Sequence, residues 1–255
     1  MIREKLIEKE FGFEKKFRPR GGGEVTRIEA LSDAVFGFAI TLLVVSLEVP
    51  QTFNELLVTM RGFFAFTITF FMLFHVWFTQ YRYFRRYGLN DNFTIWINAL
   101  LIFVILFYVY PLKFVWSLII NQIFRFPMTV HREGVVPEPP IAPGQVPLMM
   151  TVFGVGYVAV FLIFTLLYWH AYRLRAHLDL NELERHDTRN EIQENALNVM
   201  VGLLAIFAAN FTPFGGLSGL VYMLVGPAQS INGWLMGRRR RVLENRAEAL
   251  ADTGS

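Results

Sequence analysis

The residues of this 255-residue chain best suited to chemistry stand together at the mouth of an apolar run. Arg27, Glu29, Ser32 and Asp33 lie just before Ala34-Val35-Phe36-Gly37-Phe38-Ala39-Ile40-Thr41-Leu42, and the next charged residue is Glu48. A hydroxyl, a carboxylate and the imidazole of His75 in a later apolar run are the parts of a nucleophilic site. The framing of such a site is missing: there is no Gly-x-Ser-x-Gly, no His-Glu-x-x-His and no carboxylate-rich metal cluster. Cysteine is absent, which removes thiolate metal sites and redox pairs. His170, His177 and His186 are expected to be solvated rather than to hold a metal. An enzyme is therefore not expected. Two readings of Asp33 stay open on spacing alone. Either it sits two turns inside a helix that starts near Thr26 and needs a partner there, or Ser32 and Asp33 cap a helix that starts at them.

These residues are positioned by elements that composition identifies. Apolar residues make up 54% of the chain and charged ones 18%, with mean hydropathy +0.38. A soluble domain of this length needs more polar surface than that. The chain reads as an all-α integral membrane protein. A helix needs about 20 mostly apolar residues to cross a bilayer, and six segments qualify: 32–49, 62–79, 93–115, 148–172, 196–212 and 217–236. The third is expected to break near Pro111 and Lys113, and the sixth to kink at Gly226-Pro227.

Six spans put both termini on one side of the membrane. That side carries twenty of the Lys and Arg residues and the opposite side four, Arg61, Lys113, Arg125 and Arg132. The positive-inside rule then places both termini in the cytoplasm. This topology accounts for the basic residues and leaves none to suggest a nucleic-acid partner. Three regions follow: a cytoplasmic N-terminal segment 1–25, a transmembrane domain 26–237 and a basic cytoplasmic tail 238–255. No cleavable signal is expected in the charged first twenty residues. Arg3–Phe17 has the pattern of an amphipathic helix on the membrane surface, and Gly21-Gly22-Gly23 that of a hinge. The segment 119–147 holds six of the eleven prolines and is expected to be an irregular extracellular loop.

The stretch Arg27-x-x-x-Leu31-Ser32-Asp33 resembles the Arg-x-x-x-Phe-Ser-Asp signature of the transmembrane protein 175 family of potassium channels. Further features are similar: the exit Glu48-Val49-Pro50, His75 and Trp77 in the second span, and Trp96-Ile97-Asn98 with Pro111 in the third. The resemblance implies a homotetramer in which the first helix of each protomer lines a central pore. It also implies a prokaryotic plasma-membrane channel of the single-repeat type, with K+ and other monovalent cations as the permeant species, no cofactor, and only itself and the lipid bilayer as partners. Carried over by register, the constriction falls at Phe38, with Leu42 and Val45 as further apolar rings and Thr41 as a polar layer. Positions 38, 42 and 45 also share one helix face by spacing alone. The constriction position is usually isoleucine or leucine in the family, and Leu31 replaces a phenylalanine at a packing position.

Such a channel conducts passively, gated by wetting of its apolar ring. Arg27, Leu31, Ser32, Asp33, His75, Trp77, Trp96 and Asn98 then anchor the pore helix, with Asp33 expected to meet His75 or Asn98 and Arg27 to meet a carboxylate or carbonyl near the cytoplasmic mouth. Two rivals stand beside this reading: a secondary carrier of a small solute, using the Gly226-Pro227 break, and a proton-permeable leak. Phe38 as one more packing residue among 26 phenylalanines is the alternative at that position.

Overall fold

The computed structural model describes residues 17, 20–21, 25–45, 50–124, 141–142, 144–212 and 215–253. Its elements are α1 (Arg27–Val45), α2 (Phe53–Tyr87), α3 (Asn92–Phe124), α4 (Val146–Arg173), α5 (Glu182–Phe211), a 3-10 helix (Gly215–Leu224) and α6 (Val225–Thr253). No strand occurs among the described residues. Helices α2, α3, α4 and α5 are each long and apolar enough to cross a membrane. The amphipathic helix expected over 3–17, apart from Phe17, and most of the proline-rich segment 119–147 lie outside the described residues.

Local chemistry sets the helix ends. Thr52 and Glu55 form a capping box at the start of α2, and Asn181 and Glu184 form another at the start of α5. Gly88 ends α2 in the left-handed conformation, with its N–H on the Phe84 carbonyl. Helices α2 and α5 run well beyond the apolar segments first picked out, because their polar extensions continue as helical turns that pack on each other, with Tyr83, Tyr87, Glu184 and Thr188 buried. The segment 173–195 is likewise helical at both ends, with a turn between.

Two expected breaks fall elsewhere. Helix α3 continues through Pro111 to Phe124. A proline deprives one carbonyl of its donor, but the apolar run after it favours helix, and Lys113 finds an acceptor in the Leu43 carbonyl at 3.3 Å. The change of helix type near the sixth span comes between Leu224 and Val225. Pro227 then lies in the first turn of α6, where its missing N–H has no intrahelical acceptor to lose. Residues 119–124, expected in a loop, are the last turns of α3.

Helices α4 and α5 pack most closely, and α3 covers α4. At Gly156 of α4 the Tyr108 side chain of α3 comes close: a Cβ there would lie 2.1 Å from its ring. Tyr108 is buried and its hydroxyl donates to the Phe153 carbonyl at 2.9 Å, so the ring cannot swing away freely. At the arginine-rich end of the bundle, Asp91 accepts from the Thr94 hydroxyl at 2.7 Å and lies 3.0 Å from the His170 ring. Burial raises the Asp91 carboxyl, but the Thr94 hydroxyl and His170 outweigh it and hold that group below the ordinary aspartate range. Gly156→Ala is expected to lower stability by about 1–3 kcal/mol through overpacking, measured as a lower midpoint of thermal unfolding in detergent; an unchanged midpoint would show that α3 and α4 separate easily.

Candidate functional site

The candidate site is built on α1. Thr26 caps it: the Glu29 N–H donates to the Thr26 hydroxyl at 3.3 Å, and the Thr26 N–H donates to the Glu29 carboxylate at 2.8 Å. The helix thus starts more than a turn before Ser32. This settles the alternative left open by spacing: Ser32 and Asp33 are not caps but lie inside the helix, in its second turn.

Ser32 is 1% exposed and Asn98 fully buried. The Ser32 hydroxyl donates to the Ile28 carbonyl at 2.8 Å and accepts from the Asn98 amide at 2.8 Å. The Asn98 side-chain oxygen in turn accepts from the Gln80 amide at 2.5 Å. One chain of hydrogen bonds therefore crosses from α1 through α3 to α2, in surroundings where an unpaired polar group costs several kcal/mol. Phe36, Ala39 and Leu43 continue the buried face of α1 above Ser32, and Lys113 holds the Leu43 carbonyl in the last turn.

Asp33 uses a different partner from the one expected. Its carboxylate accepts from the Trp77 indole N–H at 2.7 Å, and it bonds neither His75 nor Asn98. Helical geometry explains the exchange: His75 and Trp77 stand two residues apart on α2, about 200° round the helix, so they cannot both face α1. Trp77 is held by Phe74 and Tyr81, with ring centroids 5.2 and 5.7 Å away. His75 faces outward. Trp96 likewise stands two residues from Asn98 and is 75% exposed. Arg27 is exposed, and among the described residues its side chain meets no carboxylate or carbonyl. Leu31 is 54% exposed and is not a packing residue within the protomer.

The other face of α1 is open. Phe38 is 57% exposed, and Ala30, Ala34, Gly37, Thr41 and Val44 share its side. Leu42 is half-buried, and the Val45 side chain lies outside the described residues. The open stripe is therefore turned from the 38/42/45 edge toward Thr41. Nine residues separate Ser32 from Thr41, which is about two and a half turns, so Thr41 points directly away from the buried anchor. Its hydroxyl donates to the Gly37 carbonyl at 2.9 Å. Below the stripe, toward the start of α1, a shallow cleft is lined by Glu29, Asp33, Gln80, Tyr81 and Arg85.

Sequence reasoning missed Gln80, Lys113 and the Thr26/Glu29 cap. Each carried a signal: Gln80 is a lone amide following an aromatic run, Lys113 a cation inside an apolar one, and Thr-x-x-Glu the capping-box pattern. Asn98→Ala leaves the Gln80 amide without its acceptor and takes one of the two bonds of Ser32, which keeps the Ile28 carbonyl; it is expected to cost about 1.5–4.5 kcal/mol, from about 1–3 for the stranded amide and about 0.5–1.5 for the bond Ser32 loses. Trp77→Phe, which keeps the ring stack and strands only the exposed Asp33, is expected to cost less. Thermal unfolding in detergent compares the two; an equal loss would mean that the buried chain is not the principal anchor.

The family model described as endosomal/lysosomal potassium channel TMEM175 matches residues 27–108 of the chain, from the first residue of α1 through the whole anchor. A potassium channel of Marivirga tractuosa is 36% identical over 94% of this chain and 99% of its own length. A second potassium channel, from Chamaesiphon minutus, is 30% identical over 42% of this chain and 57% of its own. Among solved structures, a threonine-to-alanine variant of the potassium channel MtTMEM175 superposes with TM-score 0.75 at 38% identity, covering 89% of this chain and 99% of that one. A lysosomal potassium-selective channel TMEM175 homologue from Chamaesiphon minutus shares the fold at TM-score 0.50 and 22% identity, over 84% of this chain and 96% of its own. At 36% identity over 94% of its own length and 99% of that of the Marivirga tractuosa channel, the chain belongs to the TMEM175 family of potassium channels.

Proposed function

We propose that the protein is a potassium-permeable channel of the prokaryotic plasma membrane in which four copies surround an axis and the open face of α1 lines the conduit. The observation that carries the reading is the division of α1 into two faces. One side is pinned by Ser32, Phe36, Ala39 and Leu43, and the other presents Phe38 and Thr41 to no partner within the protomer. A helix beginning with Arg27, Glu29 and Asp33 is poorly suited to face lipid at that end. A water-filled path beside it removes the conflict.

In this reading six segments span the membrane, α1 to α5 and the 3-10 helix with the first part of α6. Both termini are cytoplasmic, since the arginines gather at one end of the bundle. Phe38 forms the narrowest ring, Leu42 and Val45 extend it, and Thr41 supplies hydroxyls where the wall is otherwise apolar. Ions move down their gradient with no cofactor and no chemical step. An apolar ring conducts only when wetted, so it gates as well as narrows. Each phenyl face offers a desolvated cation about 0.5–2 kcal/mol, which offsets part of the cost of shedding hydration water. Thr41 points most directly toward the axis when α1 is pinned by its Ser32 face, which favours a role in ion preference.

Single-channel recording in planar bilayers tests this. Phe38→Ala is expected to raise unitary K+ conductance by roughly threefold or more, because the ring both narrows and dries the path. Thr41→Val keeps the shape and removes the hydroxyl, and is expected to lower the preference for K+ over Na+. If both variants match the wild type in conductance and preference, α1 is not the conduit wall.

A further inference from the structure

A second set of contacts ties the arm that precedes α1 to the rest of the chain. The backbone N–H of Arg20 donates to the Arg86 carbonyl at 3.3 Å, and that of Gly21 to the Arg85 carbonyl at 3.1 Å. The arm lies so close to the end of α2 that a Cβ on Gly21 would be 2.6 Å from the Phe84 carbonyl oxygen, and one on Gly88 would be 2.7 Å from that of Arg20. Gly88 also has φ +60°, so a side chain there is excluded on two grounds. Phe17 is buried beside it, edge-on to Tyr87 at 5.6 Å and beneath the Arg86 guanidinium at 5.2 Å.

The Arg20 side chain enters a seat made by the turn between α4 and α5. Its two terminal nitrogens donate to the two oxygens of Glu184 at 3.0 and 2.7 Å, and one of them also donates to the Asp179 carbonyl at 2.8 Å. The remaining nitrogen donates to the Leu178 carbonyl. Glu184 is 1% exposed and is fixed by its capping box with Asn181. Asp179 is in the left-handed region at φ 47°, unusual for a residue with a side chain. A buried carboxylate and two carbonyls in a rigid turn match the fork of a guanidinium, not the point charge of an ammonium.

The same helix grips two other elements. Asp187 of α5 accepts from Arg240 of α6 at 3.0 Å, and Glu191 from Arg86 of α2 at 2.7 Å. Glu184, Asp187 and Glu191 share one face of α5. The segment 22–26 is all that separates the seated arm from α1.

We propose that Arg20 is a positioning residue for gating: seated in the guanidinium site of Leu178, Asp179 and Glu184, it holds the entrance end of α1 against its own subunit and away from the axis, favouring the open pore. This rests on α1 being the conduit wall. The seat is a guanidinium-binding site in its own right, occupied by the chain's own arm.

Arg20→Ala is expected to lower open probability roughly threefold to tenfold, the range spanned when part of a two-pronged charged contact is lost, with unitary conductance unchanged. Ethylguanidinium at roughly 10 mM on the arginine-rich side is expected to refill the seat and restore open probability. Methylammonium at the same concentration is expected to do nothing, and neither cation should rescue the double variant Arg20→Ala/Glu184→Gln. Glu184→Gln alone keeps the side-chain shape and gives the same loss, which covers the case in which Arg20→Ala does not assemble. Wild-type open probability in either single variant overturns the proposal. So does absence of rescue, or equal rescue by methylammonium. A wild-type protein that passes no current sinks the channel reading instead, and is told apart at once.

Discussion

The hydrogen-bond chain Gln80–Asn98–Ser32 determines how α1 can sit. All three groups are buried among apolar side chains, and the serine both donates and accepts. Rotating α1 by even one residue would carry Ser32 out of reach of Asn98 and leave that buried amide short of a partner, a loss costing about 1–3 kcal/mol. Apolar packing alone would be more permissive. Leucine, phenylalanine and alanine can trade places along a helix face at modest cost, and lipid tails are no worse as neighbours than another leucine. In a membrane, directional bonds specify orientation where the hydrophobic effect does not.

From that orientation the rest of the candidate site follows. With Ser32 facing inward, Phe36, Ala39 and Leu43 are buried behind it and Thr41 must face away. Asp33, one residue further round, emerges at the edge of the packed face, where the Trp77 indole reaches it. The C-terminal end of α1 is secured separately by the Lys113 ammonium on a carbonyl of its last turn, the end that carries partial negative charge. A helix pinned near both ends by polar bonds, and bare along one side, is stiff where it touches the rest of the chain and free along its open face.

The arginine-rich end follows a different logic. There the bonds are ionic, α5 supplies the carboxylates, and three elements distant in sequence converge on it: the arm at Arg20, α2 at Arg86 and α6 at Arg240. Two of these pairs have both side chains largely shielded from water. Breaking one partner of such a pair costs more than making it yields, because a buried charge is left alone. These contacts are thus better suited to fixing which surfaces meet than to adding stability.

Much of this could be read from residue order. The membrane class and the apolar cores of the helices are consequences of composition and period, which act over a few turns. The start of α1 just after Thr26 is likewise prefigured by a Thr-x-x-Glu pattern, whereas the arm's closeness to α2 is not, since Gly21 reads in sequence only as part of a hinge. Ser32 and Asn98 could be named as anchors because a polar group in an apolar run must be bonded somewhere. Which group it bonds was beyond reach. That Asp33 takes Trp77 and not His75, that Pro111 does not end α3, and that Arg20 lies on Glu184, 164 residues away, are matters of helix phase and of three-dimensional approach. Periodicity says that a residue is on a face, whereas only the packed bundle says what that face meets.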